Sequence, residues 1–230
     1  SDKLSGSLAR TDKSENVGDY AISKGTLDNA NYEITVASGA KLTITKRPIT
    51  VTAQAKTKVF GESDPEFTYV PLALVGTDKL SGSLGRTDKS ENVGDYVIEN
   101  VSLVAGDNYE ITYVLAKLTI NKLAVTVTAE STSKTYGDSD PEFKVKSIVP
   151  KLIGSDELSG KLGREAGSTV GDYAINKGTL DNSNYEITVA SGAKLTINKL
   201  AVTVTAESTS KTYGAVDPEF KVKSISPALV

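Results

Sequence analysis

Two acidic loops are the first places in this sequence where chemistry is conceivable. Glu62-Ser63-Asp64 and Asp138-Ser139-Asp140 crowd carboxylates at close spacing, the way oxygen ligands gather around calcium. A third loop of the same kind reads Ala215-Val216-Asp217 and has lost an acid. Each loop runs into a proline, so turn formation accounts for these residues without a metal. A second possibility is covalent. Lys46 and Lys122 precede apolar strand patterns and Asn121 and Asn198 follow them, the residue types of an intramolecular lysine–asparagine crosslink. That reaction needs a desolvated lysine beside an acid. These residues sit at boundaries within reach of water, and Thr45 takes the asparagine's place in the first copy. The ten tyrosines offer surfaces for sugar stacking. Yet Tyr20, Tyr96 and Tyr173, like Tyr32, Tyr109 and Tyr185, fall on apolar faces of short strands, where the ring packs inward and the hydroxyl finds a partner. Tyr69 and Tyr113 are the better candidates for exposure. The threonine-rich strand faces read as the solvated side of half-buried strands.

Composition narrows the chemistry further. The 230 residues include no His, Cys, Met or Trp. Disulfides, thiolate metal sites and thiol nucleophiles are excluded, as are triads that need an imidazole base. The expectation is a protein that is not an enzyme, with no catalytic, cofactor-binding or metal-binding residues, no cofactor, and ligand-binding residues that the sequence does not reveal. The 26 basic and 29 acidic side chains are interspersed, for a formal net charge of −3. That pattern gives no basic stripe for nucleic acid. No run approaches the roughly 18 apolar residues of a membrane helix, so no membrane insertion is expected of this segment. No signal peptide or lipidation motif is present, and the stretch reads as internal to a longer chain.

The elements that would position any site are repeated. Gly-Asp-Tyr recurs at Gly18, Gly94 and Gly171; Asp-Pro-Glu-Phe at Asp64, Asp140 and Asp217; Asn-Tyr-Glu-Ile-Thr at Asn31, Asn108 and Asn184; Lys-Leu-Thr-Ile at Lys41, Lys117 and Lys194. The steps are 76 or 77 residues, longer than solenoid periods and enough for a small core of its own. Residues 49–53, 125–129 and 202–206 alternate apolar with polar, which predicts strands with Val51, Val127 and Val204 facing inward. Phe143-Lys144-Val145-Lys146 alternates likewise. Tyr173 and Ile175, then Tyr185, Ile187 and Val189, then Leu195 and Ile197 give further strands, separated by Gly/Asp/Asn/Ser turns. The best helical stretch, Leu74–Leu84, contains Gly76 and Gly82 and supports one turn at most. The fold class is therefore all-β: a tandem array of small β-sandwich-like domains forming an extended rod or fibre. The alternative is a β-grasp-like unit with Leu74–Leu84 crossing the sheet.

Residues 46–121 and 122–198 read as complete repeat domains. Residues 1–45 read as the C-terminal part of one, and 199–230 as the N-terminal part. The chain ends Pro227-Ala228-Leu229-Val230 and begins Ser1-Asp2, whereas the complete copies run Leu74-Val75-Gly76-Thr77-Asp78 and Leu152-Ile153-Gly154-Ser155-Asp156. The end thus rejoins the beginning one glycine short. The expected partner of 199–230 is residues 1–45 of a neighbouring copy, head to tail, in a continuous polypeptide or an unclosed filament. Only two residues separate the closing strand of one domain from the opening strand of the next, too few for free tumbling. Stiff links favour a spacer or stalk.

Lys134-Thr135-Tyr136-Gly137-Asp138, Asp140-Pro141-Glu142-Phe143, Gly171-Asp172-Tyr173 and the closing Ala193-Lys194-Leu195-Thr196-Ile197 resemble the MBG domain, YGX type, a module of bacterial adhesins. The resemblance covers the chain copy by copy, with Phe60 replacing the tyrosine in one copy. It implies tandem arrays in bacterial surface or secreted proteins and carries over no catalytic or binding residues. The resulting expectation is a structural spacer of an extracellular adhesin or surface fibre. The alternative is a repeated module holding a weak site for a host or matrix glycan or protein, with avidity from repetition.

Overall fold

A computed structural model describes residues 1–230. The chain is all-β and divides into two compact units, Ser1–Asn121 and Lys122–Val230. In the first unit, β1 (Ala9–Arg10), β2 (Gly18–Ser23) and β3 (Lys41–Ile44) form one small antiparallel sheet. The rest of the unit comprises β4 (Arg47–Thr52), β5 (Lys56–Val59), β6 (Leu84–Gly85), β7 (Gly94–Asn100), β8 (Tyr109–Val114) and β9 (Ala116–Asn121). The second unit holds β10 (Leu123–Ala129), β11 (Thr132–Thr135), β12 (Val145–Val149), β13 (Gly163–Arg164), β14 (Gly171–Asn176), β15 (Tyr185–Val189) and β16 (Lys194–Asn198). It ends in a separate two-stranded sheet, β17 (Thr203–Ala206) and β18 (Val222–Ser226).

Each complete repeat is built on one long parallel pairing. β4 pairs with β8 and β5 with β9, both parallel, and the offset of 62 residues is the same in both, Arg47 opposite Tyr109 and Lys56 opposite Leu118. The opening run 47–59 therefore lies alongside the closing run 109–121 for its whole length. Both runs switch together from the first sheet to the second. Repeat 122–198 is paired in the same way, with Leu123 opposite Tyr185 and Thr132 opposite Leu195, offsets of 62 and 63 residues. The second sheet, ordered β5-β9-β7-β6 or β11-β16-β14-β13, completes a sandwich. Its inner face and that of the first sheet contribute Val51, Ile98, Leu118 and Ile120 in one repeat and Val125, Val127, Leu195 and Ile197 in the other, all fully buried, and Leu103 joins the first core from the loop after β7. The sandwich-like reading holds, and the crossing element of a β-grasp is absent: Leu74–Ser83 is a turn-rich loop without helix, and Leu84 opens β6.

Alternation predicts the opening strands well. Val125 and Val127 are buried and Thr126 is exposed. It fails at Phe143-Lys144, which lie outside the strand. β12 starts at Val145, and a register shift between Thr128 and Ala129 breaks the ladder there. The matching stretch of repeat 46–121 keeps only the Ala53–Tyr69 bridge. Pro71, two residues beyond Tyr69, cannot donate to a ladder.

The partial repeats are half-built in a specific way. No side chain of 1–45 or 199–230 is buried. Leu42, Tyr32 and Val204 are largely exposed, whereas their counterparts Leu195, Tyr185 and Val127 are buried. Residues 32–36, the counterpart of β15, and 209–212, the counterpart of β11, form no strand. In the complete repeat 122–198 the corresponding strands β15 and β11 pair in parallel with β10 and β16. The expected inward placing of Tyr32, Val202 and Val204 is therefore not realised, because the covering strands are lacking.

Candidate functional site

The two complete repeats each hold a charge cluster on the Asp-Pro-Glu-Phe aspartate. In repeat 46–121, Arg86 at the end of β6 is 1% exposed. Its Nε donates to Asp64 Oδ2 at 2.8 Å and its Nη2 to Oδ1 at 3.0 Å, the two-pronged geometry that a lysine cannot supply. Nη2 also donates to Glu91, and Nη1 to the backbone carbonyls of Asp88 and Ser90. The guanidinium lies 5.2 Å from the centre of the Tyr96 ring. Lys58 of β5, equally buried, donates to Asp64 Oδ1 at 2.8 Å, to the Glu62 carbonyl at 3.0 Å and to Glu91. Repeat 122–198 reproduces most of this, with Arg164 on both oxygens of Asp140 and Lys134 on Oδ1 at 2.8 Å. There the Glu91 position has no counterpart. The Gly167 carbonyl accepts from Arg164 Nη1 at 2.6 Å, as the Ser90 carbonyl does from Arg86.

Electrostatics follow from these contacts. The Arg86 hydrogen bonds hold the Asp64 carboxyl at about 2, against burial, and Arg164 does the same for Asp140. Burial pushes the Lys58 ammonium down, but its bonds to Asp64 and Glu91 outweigh that and leave it raised. Amide formation between Lys58 and Asp64 would need a neutral amine and a protonated acid; the cluster stabilises the opposite pair of states. What the arrangement does chemically is clamp the loop carrying Asp64 onto the second sheet.

The other recurrent motifs are also internal ties. In Gly-Asp-Tyr, the aspartate accepts from the Lys and Thr of Lys-Leu-Thr-Ile on the next strand: Asp95 from Thr119 at 2.7 Å and Lys117 at 3.2 Å, with Asp19 and Asp172 placed alike. The tyrosine packs half-buried against the cluster arginine, and its hydroxyl donates four residues back, Tyr96 to the Asn92 carbonyl and Tyr173 to that of Thr169, both at 2.7 Å. In Asn-Tyr-Glu-Ile-Thr, the buried Tyr109 and Tyr185 hydroxyls donate to Asp78 and Asp156 at 2.7 Å and accept from the amides of Val75 and Ile153. The glycine of Tyr-Gly adopts φ of +94° at Gly137, a conformation costly for any other residue.

The candidates read from sequence fare unequally. Glu62 and Asp138 cap their own turns, accepting from the Val59 and Thr135 amides. Asp64 and Asp140 are engaged by cations, a role the turn reading missed. Lys46, Lys122, Asn121 and Asn198 are all exposed, far from the desolvation a crosslink requires. Tyr69 and Tyr113, expected to be exposed, are half-buried, and Tyr113 donates to the Leu103 carbonyl at 2.6 Å. The signal for the cluster was available. Lys58–Asp64, Lys134–Asp140 and Lys211–Asp217 share a spacing of six, and Arg10, Arg86 and Arg164 are three of only four arginines in a lysine-rich chain. One further cleft, about 380 Å³, lies within the first unit between Glu15–Val17, Thr77–Asp78 and Asn108. Across it the Asn108 side chain accepts from the Val17 amide at 2.8 Å and donates to Asn16 at 3.0 Å, tying the first sheet to the repeat that follows.

No curated protein and no solved structure matches the chain. The sequence pattern of one family does, over residues 1–43, 49–119 and 125–196, which places the charge clusters, the tyrosine ties and both sheets of each complete repeat inside the matched stretches. The chain accordingly belongs to the MBG domain (YGX type) family, as tandem copies.

Proposed function

We propose that these domains are structural spacers in the stalk of a bacterial extracellular adhesin or surface fibre. The observation that carries this reading is the parallel alignment of the first and last runs of each repeat. Because 47–59 and 109–121 point the same way, the chain enters a repeat at one end and leaves it at the other. A run of 13 residues at roughly 3.3 Å each advances the chain by about 40 Å. Short links reinforce the effect: only Lys122 separates β9 from β10, and Asn108 tethers the first junction. The recurrent motifs support a structural role too, since each is engaged in ties within its own repeat.

Small-angle scattering of the 230-residue chain at low concentration tests this. The expected maximum dimension is roughly 100–120 Å, from three domain lengths of about 40 Å. A compact globule of this length would measure about 45 Å across by radius-of-gyration scaling, and that result would remove the spacer reading. Specific binding on a glycan array by the extended chain would instead favour the adhesive module.

A further inference from the structure

We propose that the loop Thr11–Val17 is a socket for Asn108 of the repeat that follows it, and that the residues of such a loop set the stiffness of the joint. The inference rests on the spacer reading and deepens it, since a stalk needs joints that hold their angle. Neighbouring domains move relative to one another unless their interface resists it, so a small specific contact at the joint matters.

Asn108 is anchored in its own repeat by its backbone. Its carbonyl accepts from the Arg47 amide at 2.9 Å. The next residue, Tyr109, is buried and tied to Asp78 and Val75. The Asn108 side chain reaches the other way, across the joint. Its Oδ1 accepts from the Val17 amide at 2.8 Å and its Nδ2 donates to Asn16 Oδ1 at 3.0 Å. Both side-chain hydrogen bonds therefore go to the preceding copy.

The socket is held in shape from within. Arg10 donates to the Ser14 carbonyl at 2.8 Å, to the Lys13 carbonyl at 3.2 Å and to Glu15. Asp12 accepts from the Ser14 amide at 2.8 Å, and the Tyr20 hydroxyl donates to the Asn16 carbonyl at 2.7 Å. Residues 86–96 repeat 10–20 residue for residue and keep this frame: Arg86 to the Ser90 carbonyl, Asp88 to the Ser90 amide, Tyr96 to the Asn92 carbonyl. Arg86 grips an aspartate and Arg10 does not, so the loop takes its shape without that contact. So held, it presents an N–H donor at Val17 beside an amide oxygen at Asn16. A primary amide, with one acceptor and two donors, is the side chain that answers both.

Repeat 122–198 carries a different loop. Glu165–Val170 is one residue shorter, and Thr169 stands in place of Asn16 and Asn92. The Thr169 hydroxyl lies 3.1 Å from that of Tyr173 in its own repeat, and it supplies no amide oxygen. The chain thus carries two grades of socket.

The test reads the joint directly. The chain has no Cys, so spin labels go only to Ala21→Cys in β2 and Val97→Cys in β7, exposed and equivalent positions in neighbouring copies. Double electron–electron resonance on the full chain then gives the distribution of distances across the joint. The parent distribution is expected to be narrow. Asn16→Thr, the grade found in 122–198, removes one of the two hydrogen bonds, and Asn108→Ala removes both. The unlocked population should rise roughly 2–10-fold for each bond lost. The double variant should be no broader than Asn108→Ala alone, because the two residues share one bond. Variants as narrow as the parent overturn the proposal, and so does a double variant broader than Asn108→Ala. Loss of hydrogen-exchange protection in β2, β3 or 46–121 on Asn108→Ala overturns it too, since the asparagine would then belong to the fold and not to the joint. A long mean distance with unchanged widths removes the socket alone. A parent mean shorter than one repeat length removes the spacer reading, and the socket with it.

Discussion

Replacing Val127 by Asp is expected to unfold repeat 122–198 while leaving 46–121 protected. Val127 is 0% exposed and sits between Ile148 of β12 and Val189 of β15 in the register of the first sheet. A charge left there without a partner costs at least about 3–5 kcal/mol. A domain of this size has a total margin of roughly 4–11 kcal/mol at typical per-residue stability, so most or all of it disappears. Thr126→Asp, one residue along, points to solvent beside Thr188 and should cost no more than about 0.5–1 kcal/mol. Hydrogen exchange read peptide by peptide separates the two repeats within one molecule. Equal loss of protection from both substitutions would mean that the strand does not face as described.

The second large effect is expected at Arg86. Arg86→Met keeps the stem but leaves Asp64 and Glu91 facing Lys58 alone in a closed setting, and removing one partner of a buried pair costs about 3–5 kcal/mol. Arg164→Met should cost much less, about 1 kcal/mol or so, because its cluster is more open and lacks the second carboxylate. Acid acts on the same contact. The ordinary aspartate value is 3.8 and the folded value of Asp64 and Asp140 about 2, so the folded state binds fewer protons than the unfolded one in that window. The stabilisation is fully present above about pH 4 and is lost as pH falls towards 2. Urea unfolding at a series of pH values should show this slope in the parent and a shallower one in Arg86→Met. A repeat 46–121 indifferent to the substitution, or equal costs at Arg86 and Arg164, would show that the cluster does not clamp the loop.

The sequence made the sheets legible where a period of two persists, as in Val125 to Ala129, because inward and outward positions differ in residue type. It misled over Phe143–Lys146, where Phe143 lies outside the strand and a register shift between Val145 and Ser147 leaves Val145 exposed, and no residue type announces it. The parallel pairing of first and last runs was not legible at all: alternation assigns a face to each residue but says nothing of which strand lies beside it. The charge cluster was half legible. The recurrent aspartate was visible, but its partners lie 6 residues before it and 22 or 24 after it, and the tight Asp-Pro turn offered a sufficient local explanation. Tyr32 and Tyr185 share a sequence context and differ in burial, since burial depends on strands that only one of them has.

The long parallel pairing has a mechanical consequence. Tension applied along the chain enters a repeat at the start of the opening run and leaves at the end of the closing run. Since the runs are parallel, the pull slides one past the other, and the hydrogen bonds from Arg47–Tyr109 to Val59–Asn121 are loaded together. In an antiparallel hairpin pulled at its open end they would break one by one. Forced unfolding is governed by the unfolding barrier, which here requires many bonds to fail at once. Single-molecule pulling on the ends of a repeat should therefore register a distinct force peak for each intact repeat, and extension without peaks would show that the ladder does not carry the load.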